Sequence, residues 1–160
     1  MDGRGRMFTD ESRLIGKMII DNWSLGPQNT PNVCYMNDQL YIDGRVGVIQ
    51  VYVVSHSTRG IGSVDYADVH RSATVSIKVE NKFREIHYDW VEEVYRILYT
   101  NRRLDPDYLD GYLFIEVTGD HVAPNLLGWY STTIDVRLTG YHRPVPGSGF
   151  GDRLNKGDRD

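Results

Sequence analysis

The sequence has one cysteine and no excess of positive charge, and each absence excludes a class of protein. Because Cys34 is the single cysteine, an internal disulfide and a multi-cysteine zinc site are excluded. The 160 residues carry 18 Lys+Arg against 22 Asp+Glu, whereas tight binding to duplex DNA normally requires a basic excess. No apolar run approaches the roughly 18 residues of a membrane span. No apolar segment typical of a signal peptide follows the charged N-terminus.

The composition is otherwise that of a folded domain. With 40% hydrophobic and 25% charged residues, the chain can bury a core. We expect a flexible N-terminus over 1–8, a single domain over 9–143, and a flexible C-terminal tail over 144–160, where glycine, proline and charged residues dominate. The chain also has 11 tyrosines, a residue favoured both in cores and at interfaces.

Helical periodicity appears twice. Residues 11–22 form a short N-terminal amphipathic pattern. Residues 81–101 predict a longer helix of about five turns, with Glu92 and Arg96 as an i,i+4 ion pair on its polar side. Its apolar face is expected to consist of Phe83, Ile86, Trp90, Val91, Val94, Ile97 and Leu98.

Strand patterns fill most of the remaining sequence. They cover 40–42, 45–54, a short stretch at 61–66, 73–79, 111–118 and 129–141. Asp43-Gly44 predicts a tight hairpin, and Gly47 indicates a bulge. Residues 24–38, 57–60 and 119–128 are expected to be irregular. The order of elements predicts an α+β domain with a mainly antiparallel twisted sheet, one long central helix packed on a face and a shorter N-terminal helix.

Motifs for catalysis and cofactors are scarce. The five histidines form no metal-binding pair of the HExxH type, and no nucleophile elbow, phosphate loop or dinucleotide-binding fingerprint occurs. His87, at the border of the apolar helix face, is expected to be a packed histidine. The sequence therefore predicts a protein that is not an enzyme and uses no cofactor or metal.

One pattern keeps an enzymatic alternative open. Glu80-Asn81-Lys82 has the E-x-K form, with Asp65 and Asp68 upstream. Nucleases of the PD-(D/E)xK type use two carboxylates to hold Mg²⁺ and a lysine at the nucleophile. The alternative interpretation is a charged strand-to-helix turn in which Asn81 caps the helix and Lys82 is solvated.

Three segments together resemble a known family. The strand over 73–79, the helix over 90–98 with Asn-Arg-Arg at 101–103, and the strand over 129–141 are similar to tail-terminator (tail completion) proteins of long-tailed phages and related archaeal viruses. The resemblance covers roughly 45–143. It implies a virion structural protein of the tail or neck, made in the host cytoplasm, and not an enzyme.

The resemblance also implies partners. Such proteins form a ring, usually a hexamer, that caps the tail tube and offers a docking surface to the head-tail connector or stopper, while DNA passes through the lumen without specific binding. Another neck component, such as a head-tail stopper or a tube-like protein, is the alternative within the same particle. Part of the tyrosine surface is then expected to be buried between subunits.

A mixed apolar and aromatic hairpin over 57–71 is the candidate contact with the tube or with a neighbouring subunit. The residues expected to make this contact are Arg59, Ile61, Val64, Tyr66, Val69, His70 and Arg71. A solvent-exposed hairpin with no partner is the equally weighted alternative.

Overall fold

The computed structural model describes residues 10–26, 31–35, 47–61, 68–103, 112–126 and 128–142. Its elements are α1 (Glu11–Asn22), β1 (Asn32–Tyr35), β2 (Gly47–Ile61), β3 (Asp68–Asn81), α2 (Arg84–Thr100), β4 (Tyr112–Leu126) and β5 (Trp129–His142). The strands form one sheet in the order β1-β2-β3-β5-β4. Among these strands β1 pairs with β2 in parallel, and the other neighbours are antiparallel. The predicted α+β fold with a mainly antiparallel sheet is confirmed.

β3 lies at the centre of the sheet and is paired along nearly its whole length on both sides. Val75 faces Val53 on β2 and Val136 on β5, and Ile77 is registered with Ile134. These alternate side chains point to one face because successive residues of a strand point to opposite faces. That face is the buried one, where Val75, Ile77 and Val136 have no solvent exposure.

Both helices pack on this face. Ile15 and Ile19 of α1 join Trp90, Val94 and Ile97 of α2 in one core with the strand residues. Each such fully buried side chain stabilises the fold by roughly 1.5–3 kcal/mol relative to an exposed one. No helix in the described part of the chain is long and apolar enough to cross a membrane.

Two strands are longer than their sequence pattern predicts. β2 continues through 57–60, where an irregular break was expected. Its pairing with β3 shifts register between Val53 and Ser55 and then continues. β4 continues to Leu126 through most of the predicted loop 119–128, with register shifts at Val117/Gly119 and Ala123/Leu126. Bulges let a strand continue past residues that break regular pairing.

Two further predictions, those for 24–38 and for Gly47, are wrong. β1 lies inside the predicted irregular segment 24–38. Gly47 is no bulge: it pairs in regular register with Asn81, against which a side chain at position 47 would have no room. The predicted Asp43-Gly44 hairpin, the N-terminus over 1–8 and the tail over 144–160 lie outside the described residues.

The long helix begins three residues later than its pattern suggests. Asn81 is not its cap but the last residue of β3, and Phe83 holds the N-cap position without a side-chain hydrogen bond to the helix. Phe83 is 56% exposed, so it is not part of the buried face. Trp90 and the residues packed beside it form that face: Val94, Ile97 and Leu98 are buried, and Ile86 and Val91 are partly buried.

Candidate assembly surface

The predicted contact hairpin is built by the ends of two paired strands. Arg59 and Ile61 lie at the end of β2, and Val69 and His70 lie at the start of β3. Arg59 is exposed and registered with His70, and Ile61 is registered with Asp68. Val64 and Tyr66 lie outside the described residues. The described parts of the hairpin, 57–61 and 68–71, therefore continue the sheet.

Arg71, the seventh predicted contact residue, is buried inside the chain. Its Nη2 atom donates to Glu11 Oε1 at 3.0 Å, and both side chains are 1% exposed. The other oxygen of Glu11 lies 2.9 Å from Nε2 of His56 on β2. Glu11 is the first residue of α1, so this cluster fastens the start of α1 to the base of the hairpin. Arg71 is thus excluded from the exposed contact surface.

Glu93 connects α2 to the residues that follow α1. It accepts hydrogen bonds from the backbone N–H and the hydroxyl of Ser24, at 2.8 and 2.7 Å. Arg96 donates to both of its oxygens, at 2.7 and 3.0 Å, and also to the carbonyl of Asn22. The bond from Arg96, followed by those from Ser24, lowers the pKa of Glu93 to about 2 despite the opposing effect of burial. The predicted Glu92–Arg96 pair is therefore wrong, because Arg96 turns to the buried neighbour.

A buried polar network fixes the junction of β3, α2 and β5. His87 Nδ1 lies 2.9 Å from Asn81 Oδ1, and its Nε2 lies 2.7 Å from the Thr132 hydroxyl. Since a carbonyl oxygen can only accept, Nδ1–H donates to Asn81, and a neutral ring then accepts from Thr132 at Nε2. Burial lowers the pKa of His87, which agrees with this neutral form. The prediction of a packed histidine is confirmed.

Tyrosines form a stripe on one flank of α2. Tyr88, Tyr95 and Tyr99 are separated by seven and four positions, which places them on the same side of a helix. The rings of Tyr95 and Tyr99 stack with centroids 6.0 Å apart and an interplanar angle of 16°. The Tyr95 hydroxyl donates to Asp120 on β4. Burial, followed by this contact with Asp120, raises the pKa of Tyr95.

The flank with the tyrosines lies beside the edge of the sheet. β4 is the last strand in the sheet order, and its outer side is bridged to the described chain near Phe114, by Arg103. Val122 lies two residues after Asp120, hence on the same face of β4, and is 75% exposed. Tyr88 and Tyr99 are each more than half exposed. We call the set Tyr88, Tyr95, Tyr99, Asp120 and Val122 the α2–β4 surface.

Asp68, the aspartate of the nuclease pattern that the structure describes, does not approach Glu80. Asp68 and Glu80 lie at opposite ends of β3, and twelve residues of extended strand span about 40 Å. Glu80 is 3.1 Å from Lys78 Nζ, and the Lys82 ammonium lies 5.9 Å from the centroid of the Trp129 ring. Asp65 lies outside the described residues. Within the described ranges, no group of three His, Cys, Asp or Glu side chains could hold a metal ion.

Comparison with known proteins finds a similar fold but no similar sequence. No family model matches the chain, and no curated protein matches it. Among solved structures, it is similar to a chain of the "Virion of native gene transfer agent (GTA) particle", with 8% sequence identity and a TM-score of 0.54. The alignment covers 83% of this chain and 96% of that chain. At this identity the likeness shows a shared fold, and it extends over nearly the whole of the other chain.

Proposed function

We propose that the chain is a structural protein of a virus-like particle, a tail terminator whose copies form a hexameric ring. The ring caps the tail tube and offers the surface onto which the head-tail connector or stopper docks. The observation that carries this proposal is the fold shared with a chain of a virion particle over 96% of that chain. It is joined by the sequence resemblance to tail terminators over roughly 45–143.

The shape of the subunit is compatible with a ring. A subunit in a closed ring needs two different surfaces, because each interface joins unlike sides of neighbouring copies. The described sheet ends in β1 on one side and β4 on the other, so a subunit has two unlike sides. The hairpin that bears Arg59 and His70 remains a candidate contact with the tube protein.

The sheet face opposite the helices is compatible with a lumen that DNA traverses. Its charges alternate in sign: Lys78 lies beside Glu80, and Arg137 is 2.8 Å from Glu116. Paired charges of both signs provide little net attraction for phosphates, so DNA would pass this face without being held. The mild acidity of the whole chain, with a formal charge of −4, favours the same behaviour.

The proposal is tested by assembly. The purified chain is examined by native mass spectrometry and negative-stain electron microscopy, alone and with the tail tube protein of the same particle. We expect six-membered rings, free or at tube ends, and tubes that stop growing once a ring is bound. A chain that stays monomeric and leaves tube growth unchanged would contradict the proposal.

The same experiment separates the related neck roles. A tube-like protein would polymerise into long tubes by itself, whereas a terminator stops at one ring. A head-tail stopper would bind the connector and not the end of the tube. Each outcome assigns the chain to a different position in the neck.

The non-enzymatic part of the proposal has its own test. The wild-type chain and a Glu80→Ala/Lys82→Ala variant are incubated with linear DNA and Mg²⁺. We expect no cleavage by either protein, because Asp68 and Glu80 lie at opposite ends of β3. Cleavage by the wild type that is lost in the variant would show a nuclease.

A further inference from the structure

We infer that the α2–β4 surface of one copy binds the α1–β1 side of the next copy, so that unlike edges of the sheet meet. This inference rests on the proposed ring and assigns its subunit interface. The occupant of the α2–β4 surface is a second copy of this chain. Three observations support it, namely exposed apolar side chains, opposite charge and the position of both surfaces at sheet edges.

The α2–β4 surface has the composition of an interface. Two tyrosines more than half exposed and the 75% exposed Val122 lie together on it. Tyrosine is enriched at protein interfaces because a rigid ring buries a large area and its hydroxyl still finds a partner. The register shifts of β4 leave a regular stretch from Gly119 to Ala123, and Val122 lies within it. The apolar side chain of Val122 therefore lies on the regularly paired part of β4.

The opposite side of the subunit presents cations. Arg13, Lys17 and Ile20 are spaced by four and three positions, so they share one flank of α1. The Arg13 guanidinium lies 4.4 Å from the centroid of the Tyr35 ring on β1, which places this flank beside the β1 edge. Ile20 is 51% exposed, and the side chains of Arg13 and Lys17 are 61% and 62% exposed. The α1–β1 side thus offers one apolar and two basic side chains.

The charges of the two sides are complementary. Exposed acidic side chains outnumber exposed basic ones on the outward side of α2, where they are Glu85, Asp89 and Glu92 against Arg84 and Arg96. Arg13 and Lys17 are paired with aspartates of their own segment, but these pairs are exposed. Exposed pairs stabilise by about 0–1 kcal/mol, so exchanging partners at an interface costs little. Tyrosine faces also attract guanidinium and ammonium groups.

A sheet-edge contact between unlike sides also satisfies the geometry of a ring. If β4 of every copy met β4 of its neighbour, pairs would form and the ring could not close. Contact between β4 of one copy and the α1–β1 side of the next repeats around an axis and can close. The inference therefore excludes the symmetric pairing that an exposed edge strand otherwise permits.

Cross-linking tests the pairing of the two sides. Ile20→Cys and Val122→Cys are made separately in a Cys34→Ala background and treated with a flexible thiol-reactive cross-linker, alone and mixed. We expect covalent dimers in the mixture and none in either variant alone. Val54→Cys, at a residue 56% exposed on β2, replaces Val122→Cys as the control and is expected to give none. Dimers of Val122→Cys alone would overturn the inference in favour of symmetric pairing.

Charge insertion tests the same surface without a cross-linker. Val122→Asp and Tyr99→Asp are compared with Val54→Asp for ring content by native mass spectrometry, with thermal unfolding as a check that each variant is folded. We expect the two surface variants to weaken association about tenfold or more, the effect typical of interface hot spots, and the control to assemble normally. Rings that persist in both folded surface variants would overturn the inference and leave the proposed function standing. A wild-type chain that forms no ring, either free or at tube ends, would overturn both.

Discussion

Glu11 and Arg71 are 60 residues apart in sequence and meet inside the protein as a buried ion pair, with Arg71 Nη2 3.0 Å from Glu11 Oε1. The pair joins the first residue of α1 to β3, four residues into that strand's range. A buried charge is tolerated when its partner is present and is costly when the partner is removed. The arrangement therefore makes the position of α1 depend on the hairpin.

Replacing Arg71 by methionine is expected to destabilise the protein by about 3 kcal/mol, because the Glu11 carboxylate would stay buried next to an apolar group. Arg137→Met is the matched control, since Arg137 pairs with Glu116 on the surface and both are about half exposed or more. The control is expected to cost under about 1 kcal/mol. Urea denaturation at pH 7 measures both free energies of unfolding. Equal losses in the two variants would contradict the importance of burial here.

Because His87 is buried, we expect the protein to lose stability as the pH falls. Burial lowers its pKa in the folded state, so below the unfolded value of about 6.5 the unfolded chain binds the proton more readily. The stability contributed by the neutral ring is complete above pH 6.5 and is lost as the pH falls below it. We expect the difference in unfolding free energy between wild type and His87→Gln to shrink over this range. Parallel pH profiles for the two proteins would disprove the linkage.

Glu93 affects stability over a lower pH range than His87 does. Its folded pKa is about 2, below the ordinary value of 4.5, so its contribution is complete above pH 4.5 and is lost as the pH falls toward 2. At pH 7, Glu93→Gln is expected to destabilise by about 2 kcal/mol, since charged hydrogen bonds to Arg96 and Ser24 are weakened. Glu92→Gln, its exposed neighbour, is the control and should have little effect. A Glu93→Gln penalty that does not depend on pH would contradict this account.

Two glycines of the sheet should respond differently to the same substitution. A Cβ at Gly47 would lie 2.6 Å from the carbonyl oxygen of Glu80, whereas a Cβ at Gly119 would meet nothing within 4 Å. We expect Gly47→Ala to cost about 1–3 kcal/mol through overpacking and Gly119→Ala to be close to neutral. Thermal unfolding of the two single variants compares them directly. A neutral Gly47→Ala would show that β2 can move away from β3.

The regular parts of the fold follow from periodicity in the sequence. The strand over 73–79 and the buried helix face from Trp90 to Leu98 were predictable because their apolar residues repeat with periods near 2 and 3.6. The second half of β4 was hidden by Gly119, Asp120 and Pro124, residues typical of loops. A strand that continues through bulges has no clean alternation, so local pattern alone cannot show it.

The positions of two polar residues were predicted wrongly for a different reason. Arg71 and Asn81 were expected at the surface or at a helix cap, because charged and amide side chains are exposed by default. Their burial depends on Glu11 and His87, partners that only the folded chain brings near. The tyrosine stripe could have been found from the spacing of Tyr88, Tyr95 and Tyr99. Its position beside Val122 could not, because that requires the pairing of β4 with β5.

The central position of β3 has a consequence for how the molecule opens. Its amides and carbonyls are engaged with β2 on one side and β5 on the other, from Val69 to Asn81. Opening β3 requires both neighbours to separate, so its amide hydrogens should exchange with solvent at the slowest rates, those of global unfolding. Among the described strands, β1 and β4 each pair with one other strand, and most of their amides should exchange by local fraying. The described sheet thus combines a centre that opens only on global unfolding with edge strands that open locally and more often.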